Sequence, residues 1–111
     1  MPKIEILEET EGSGSAAAKG DSVEFESQGF LNRGECIQNR STSTTRIGTR
    51  QVIAGIEYAL TGMRAGGYRK IKIGPHLAYR DQGIPGKIPA NAVLTYELWM
   101  LDVKKHEQIK Q

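Results

Sequence analysis

Apolar residues recur along this chain with two different periods, and each period predicts a different element. From 3 to 9, KIEILEE alternates apolar with charged side chains, the period-two pattern of a half-buried strand at or near a sheet edge. SVEFESQGFL (22 to 31) repeats it, with Val23 and Phe25 on one face and Glu24 and Glu26 on the other. Gly29 and Gly34 interrupt that strand as a bulge or turn would. At 52 the period changes. Val52, Ile53, Ile56, Ala59, Leu60 and Met63 fall at offsets 0, 1, 4, 7, 8 and 11, one stripe of a helix over 52–63. Gly55 predicts a close approach to another backbone near its first turn, and Gly66 and Gly67 suit a left-handed cap. The period then returns to two. Arg69, Ile71 and Ile73 share one face of a strand over 68–73. From 92 to 103 both faces are apolar, predicting the longest strand, central and covered on each side for part of its length.

The connections differ in character. GSGSAAAKGD (12 to 21) reads as a flexible link ending in a Gly-Asp turn. ECIQNR is compatible with a continuing sheet, while the five Ser/Thr residues at 41–45 fit a solvated loop or an edge strand. The stretch AYRDQGIPGKIPAN places Tyr79, Ile84 and Ile88 on a loop stiffened by glycine and proline, where apolar residues gain nothing unless something covers them. Strands, one helix and more strands, without regular alternation, predict an α+β fold: a curled, mainly antiparallel β-sheet wrapped around one short α-helix.

Composition narrows the function classes. A chain of 111 residues supports one domain, with a core over 3–104 and a charged tail at 105–111 that is expected to fray. The net charge of +2 gives no argument for nucleic acid or membranes, and the basic residues Arg64, Arg69, Lys70 and Lys72 read as a solvated sheet face. Cys36 is the sole cysteine, which points to a reducing, cytoplasmic setting and to a packed thiol. No stretch approaches the roughly 20 apolar residues of a membrane span. His76 and His106 lack partners at ligand spacing, so no metal site and no cofactor are expected, and His76 is expected at the surface.

The order of KGDSV (19 to 23), GFLNRG (29 to 34), IGTRQVIAGIEYAL (47 to 60) and the long stretch from Met63 to Val103 resembles the FKBP-type peptidyl-prolyl isomerase family. The likeness covers residues 3 to 104, and the last motif, being long, is the specific one. The resemblance implies a shallow apolar pocket between helix and sheet that takes the peptide bond preceding proline, with the 78-to-89 loop overhanging it. Carried over by position, Tyr79 is the pocket tyrosine whose hydroxyl donates to substrate. Ile53 supplies a backbone N–H at the helix entrance, Val52 and Ile88 are walls, and Tyr96 is an aromatic facing inward. The partners implied are proline-containing peptides or unfolded segments and a macrolide ligand, bound by a monomer.

The chain departs from the family pattern at several of these positions. Ile56 stands where a tryptophan floor is usual, Ser27 where a tyrosine is usual, and Ile37–Gln38 where an aromatic–aspartate pair is usual. Ile84 replaces a polar or aromatic loop residue. With 7 aromatics in the whole chain, and each aromatic contact worth roughly 0.5–1.5 kcal/mol beyond its area, two readings stand. One is a weak prolyl isomerase that stabilises the twisted amide non-covalently. The other is a catalytically inactive module that binds peptide or protein partners.

Overall fold

The computed structural model describes residues 4–106. Five strands form one antiparallel sheet: β1 (Ile4–Thr10), β2 (Ser22–Leu31), β3 (Cys36–Arg46), β4 (Tyr68–Ile73) and β5 (Leu94–Lys104). Their spatial order is β1-β4-β5-β2-β3; the one α-helix among the described residues, α1 (Ala54–Leu60), joins β3 to β4, and a 3-10 turn at Pro75–Leu77 follows β4. The period-two stretches thus became strands as their alternation dictates. Val23 and Phe25 of β2, Ile71 and Ile73 of β4, and Leu94 and Leu98 of β5 are all buried on the inner face. There they meet Ala59 and Leu60 of α1, which leave no exposed surface.

Several expectations need correction. The helix is seven residues long, not twelve. Ile53 is its N-cap with an extended backbone (ψ 152), and Gly62, at φ 88, carries the left-handed turn beyond its end. Gly66 is also left-handed, but it belongs to the turn into β4 rather than to a helix cap. A Cβ on Gly55 would lie 2.5 Å from Cγ2 of Ile73, so the close approach is to a side chain of β4 and not to backbone. β1 does lie at the sheet edge, yet only Ile4 is half-buried and Ile6 and Leu7 are exposed. The Ser/Thr run became the other edge strand, β3, which is as long as β5. Gly29 sits in β2 at a register irregularity against β3 while pairing with Tyr96 of β5, and Gly34 (φ 103) turns the hairpin between β2 and β3.

β5 is central, but no described element covers its outer face. Leu101 remains 44% exposed. Trp99 is instead covered by its neighbours: the Tyr68 ring lies 5.5 Å away, and the Arg40 guanidinium stands 3.7 Å above the indole, a cation–π contact. The basic residues after the helix are engaged locally. Arg69 pairs with Glu9 and donates to Ala59 and Thr61 carbonyls, Lys70 pairs with Glu8, and Arg64 donates to Gly14. Cys36 is exposed at the start of β3 rather than packed, and His76 is exposed as expected.

The charged tail is also not free from its first residue. Asp21, buried in the turn before β2, accepts from Ala18 N at 2.9 Å, Lys105 Nζ at 2.6 Å and His106 N at 2.7 Å. Lys105 and His106 are thereby clamped, and the expectation of fraying at 107–111 lies outside the described residues. The Lys105 hydrogen bond, then that of His106, hold the Asp21 carboxyl at about 2 instead of 3.8. A depressed folded-state value means that the contribution is present above the unfolded value and is lost as pH falls through the folded one. Urea unfolding should therefore show stability falling between about pH 4 and pH 2. In Asp21→Asn that acid-side loss should be blunted, and stability at neutral pH should be lower by about 1.5–3 kcal/mol, the range for hydrogen bonds to charged groups. An unchanged acid limb in the variant would contradict the clamp.

Candidate functional site

The loop from 78 to 93 is held by its own backbone. Pro85 and Gly86 (φ 76) form the centre of a turn closed by Lys87 N to Ile84 O at 2.9 Å, the type II pattern of proline followed by a left-handed glycine. Ile84 and Ile88 exchange two hydrogen bonds of 2.8 Å, so the loop carries a miniature ladder. Gly83 (φ 59) lets the chain pass so near this ladder that a Cβ would sit 2.2 Å from the Ile88 carbonyl oxygen. Gly83 N donates to Tyr79 O and Asn91 N to Arg80 O, which ties both ends of the loop together. This rigid frame turns Ile88 into the core, where it is buried.

Most of the residues singled out from the sequence belong to the buried core or pack against it. Ile56 from α1 (6% exposed), Tyr96 from β5 (3%) and Ile88 from the loop belong to the buried cluster. Ile37, Val52, Ile53, Tyr79 and Ile84 pack against that cluster and are half-buried.

Two donors on these residues are unengaged. The backbone N–H of Ile53 precedes the helix and has no acceptor among the described residues, although its carbonyl accepts from Ile56 N and Glu57 N. The Tyr79 hydroxyl likewise has no hydrogen-bond partner among them. Tyr96 brings a third donor, its hydroxyl, in the same condition. Burial first, and then the neighbouring Tyr79 phenol, push its ionisation up to about 12, so the Tyr96 hydroxyl is a protonated donor at neutral pH.

Ser27 and Gln38, expected from the resemblance in place of a tyrosine and an aspartate, are bonded to each other. Gln38 Nε2 donates to Ser27 Oγ at 2.7 Å and has Ser41 Oγ at 3.3 Å. The pair links the adjacent strands β2 and β3. Two participants escaped the sequence reading. Ser41 was read only as part of a hydroxyl run. Gly29 was read as a bulge, yet its missing side chain is what admits the Tyr96 ring; the signal was a lone glycine inside a strand pattern.

A family model described as FKBP-type peptidyl-prolyl cis-trans isomerase matches residues 13–101. Among curated proteins, the chain is 38% identical over 96 residues to FK506-binding protein 4 of Chaetomium thermophilum, covering 84% of this chain but 20% of that one. It is 33% identical over 106 residues to FK506-binding protein 1A of Neurospora crassa, covering 92% of this chain and 88% of that protein. The first curated relatives are thus about five times longer than the region they share with it. A solved peptidyl-prolyl cis-trans isomerase from Pseudomonas syringae pv. tomato superimposes with a TM-score of 0.78 at 25% identity, over 92% of this chain and 74% of that one.

The Tyr96 position depends on Gly29. A Cβ there would lie 2.7 Å from Cε1 and Cζ of Tyr96, too close for either to stay. Gly29→Ala should destabilise the protein by about 1–3 kcal/mol, the usual cost of overpacking, and move the Tyr96 ring resonances. A variant with unaltered thermal unfolding and an unmoved ring would show that the ring does not rest on this glycine.

Proposed function

The chain belongs to the FKBP-type peptidyl-prolyl cis-trans isomerase family, and on that premise we propose that it catalyses rotation about X–Pro bonds in peptides and unfolded segments, with low efficiency. The observation that carries this reading is the pair of unengaged donors, Ile53 N–H and Tyr79 hydroxyl, on two residues packed against the buried apolar core. Rotation about an X–Pro bond is slow, tens to hundreds of seconds unaided, because amide resonance resists it. Neither nucleophile nor metal is required. A catalyst has only to bind the twisted amide more strongly than either planar form.

The twisted amide separates less charge than the planar one, so aliphatic surroundings favour it. Ile56, Ile88 and Val52 supply those surroundings for the prolyl ring. The Ile53 N–H and the Tyr79 hydroxyl donate to carbonyls of the bound segment and hold it in a turn-like shape. The hydrogen-bonded Ser27–Gln38 pair closes one side without a charge, and Ile37 and Ile84 complete the rim. Low efficiency follows from aliphatic floor and walls in place of rings, which forfeits part of the contact energy that aromatic walls supply. A macrolide would use the same floor and the same donors. The single thiol supports a reducing, cytoplasmic setting, and a monomer suffices for this chemistry.

One observation favours a second reading, a peptide-binding module without turnover. Ile56 and Tyr96 are nearly fully buried, so a prolyl ring meets little open floor unless side chains shift. Exchange spectroscopy on a proline tetrapeptide separates the two, since acceleration above background supports catalysis and its absence with several residues before proline removes it. Tyr79→Phe should lower kcat/KM by about two- to tenfold, the worth of one hydrogen bond, while leaving stability nearly unchanged. Ile56→Trp should tighten binding of proline peptides by about two- to tenfold. If that variant unfolds instead, position 56 is filled core.

A further inference from the structure

Beside the residues of the proposed isomerase site lies a cleft of about 630 Å³ on the outer side of α1. Lys19, Arg50 and Arg80 line it, and none of the three belongs to an ion pair among the described residues. Its one carboxylate is already used, because Glu57 Oε2 accepts from Gly48 N at 2.9 Å and from Arg50 N at 3.1 Å. Glu57 thereby fixes the loop that carries Arg50 against the helix. Tyr58, 49% exposed, gives the cleft an aromatic surface. Asp81, next in the chain to Arg80, does not line it.

Arg50 and Arg80 share a further property. Both are left-handed, at φ 62 and φ 54, where glycine or asparagine fits with less strain. Strain kept at a side-chain-bearing position points to a use for the side chain. The cleft also lies close to the proposed isomerase residues. Val52 lines the cationic cleft and packs against the core beneath the isomerase region, and Ile53 follows it in the chain. On the loop, Tyr79 belongs to the isomerase region and Arg80 to the cleft.

We infer that this cleft is an anion-selective subsite for the flank of the substrate chain, so that the preferred X–Pro segments carry Asp or Glu a few residues from the proline. This rests on the reading of Tyr79 and Ile53 as the X–Pro site. An extended chain advances about 3.3–3.6 Å per residue, so acids roughly two to four positions from the proline reach across the wall formed by Val52 and Arg80. Unpaired cations attract them, and Tyr58 and Val52 cover the intervening backbone. A peptide is favoured over nucleic acid because the cleft continues from the site for a peptide bond and because the net charge of the chain is only +2.

The test uses three fluorescent peptides sharing one X–Pro core, with acidic, amide (Gln/Asn) or lysine flanks on either side, titrated at about 50 mM salt where screening is weak. Each exposed charge pair is worth roughly 1.4- to fivefold in affinity. The acidic peptide should therefore bind about tenfold more tightly than the amide one, with shifts at the Gly48, Arg50 and Arg80 amides. Arg50→Gln with Arg80→Gln should abolish that preference and leave amide-peptide binding and turnover unchanged. Lys19→Gln, which touches neither left-handed position, should weaken the preference if the double variant does not fold. Equal affinities for acidic and amide peptides, a preference that survives the substitutions, or tighter binding of a single-stranded oligonucleotide at these amides would each overturn the inference. The outcomes are separable from catalysis. Acid preference without accelerated exchange leaves the subsite standing and removes the isomerase, whereas equal acceleration of all three peptides does the reverse.

Discussion

A helix of seven residues is about 10 Å long at 1.5 Å per residue. The strands beneath it, β2 with ten residues and β5 with eleven, run about 33–36 Å. One short helix therefore cannot cover the apolar inner face of this sheet, and the uncovered length must be shielded by loops. Gly55 sets where the helix sits, because its missing side chain lets α1 settle against Ile73 of β4. The remaining inner face is left to the segment before the helix and to the loop after β4. That is why Val52, Ile53, Tyr79, Ile84 and Ile88, none of them in a strand or the helix, pack on the core. The candidate site is the seam where these coverings meet.

A covering made from loops has to be rigid without being a regular element. The loop between β4 and β5 achieves this by backbone alone: the Ile84–Ile88 ladder, the Pro85-Gly86 turn and the close passage at Gly83. Low conformational freedom lets half-buried donors stay oriented while unpaired. Gln38 is bonded to Ser27, and burial keeps the Tyr96 hydroxyl protonated. Charge is placed on the far side of α1, around Lys19, Arg50 and Arg80.

Much of this was legible in the residues. Alternation fixed β2 and β4 because one face of each is buried, β5 was read from a strand apolar on both faces, and the loop isoleucines announced a covered loop. The helix was read five residues too long for a physical reason: Val52, Ile53 and Met63 are buried or half-buried by loops, so they fit the helical stripe without being helical. β3 was ambiguous because an edge strand whose faces are largely solvated has no apolar period to display. The Ser27–Gln38 bond and the clamp of Lys105 and His106 on Asp21 span 11, 84 and 85 positions, and pairings of polar groups at such separations leave no local pattern. The resemblance carried the candidate site residue by residue, but it could not show that two departures from the family would face each other across neighbouring strands.

The central claim is that a prolyl ring sits on the aliphatic floor while Ile53 N–H and the Tyr79 hydroxyl hold the adjoining carbonyls. Intermolecular nuclear Overhauser effects between the isotope-labelled protein and a proline tetrapeptide test it most directly. The account predicts contacts from the proline ring protons to the methyl groups of Ile56 and Ile88 and to the Tyr96 ring, with a downfield shift of the Ile53 amide proton. Contacts confined to other surfaces, with the Ile53 amide unmoved at saturating peptide, would contradict it.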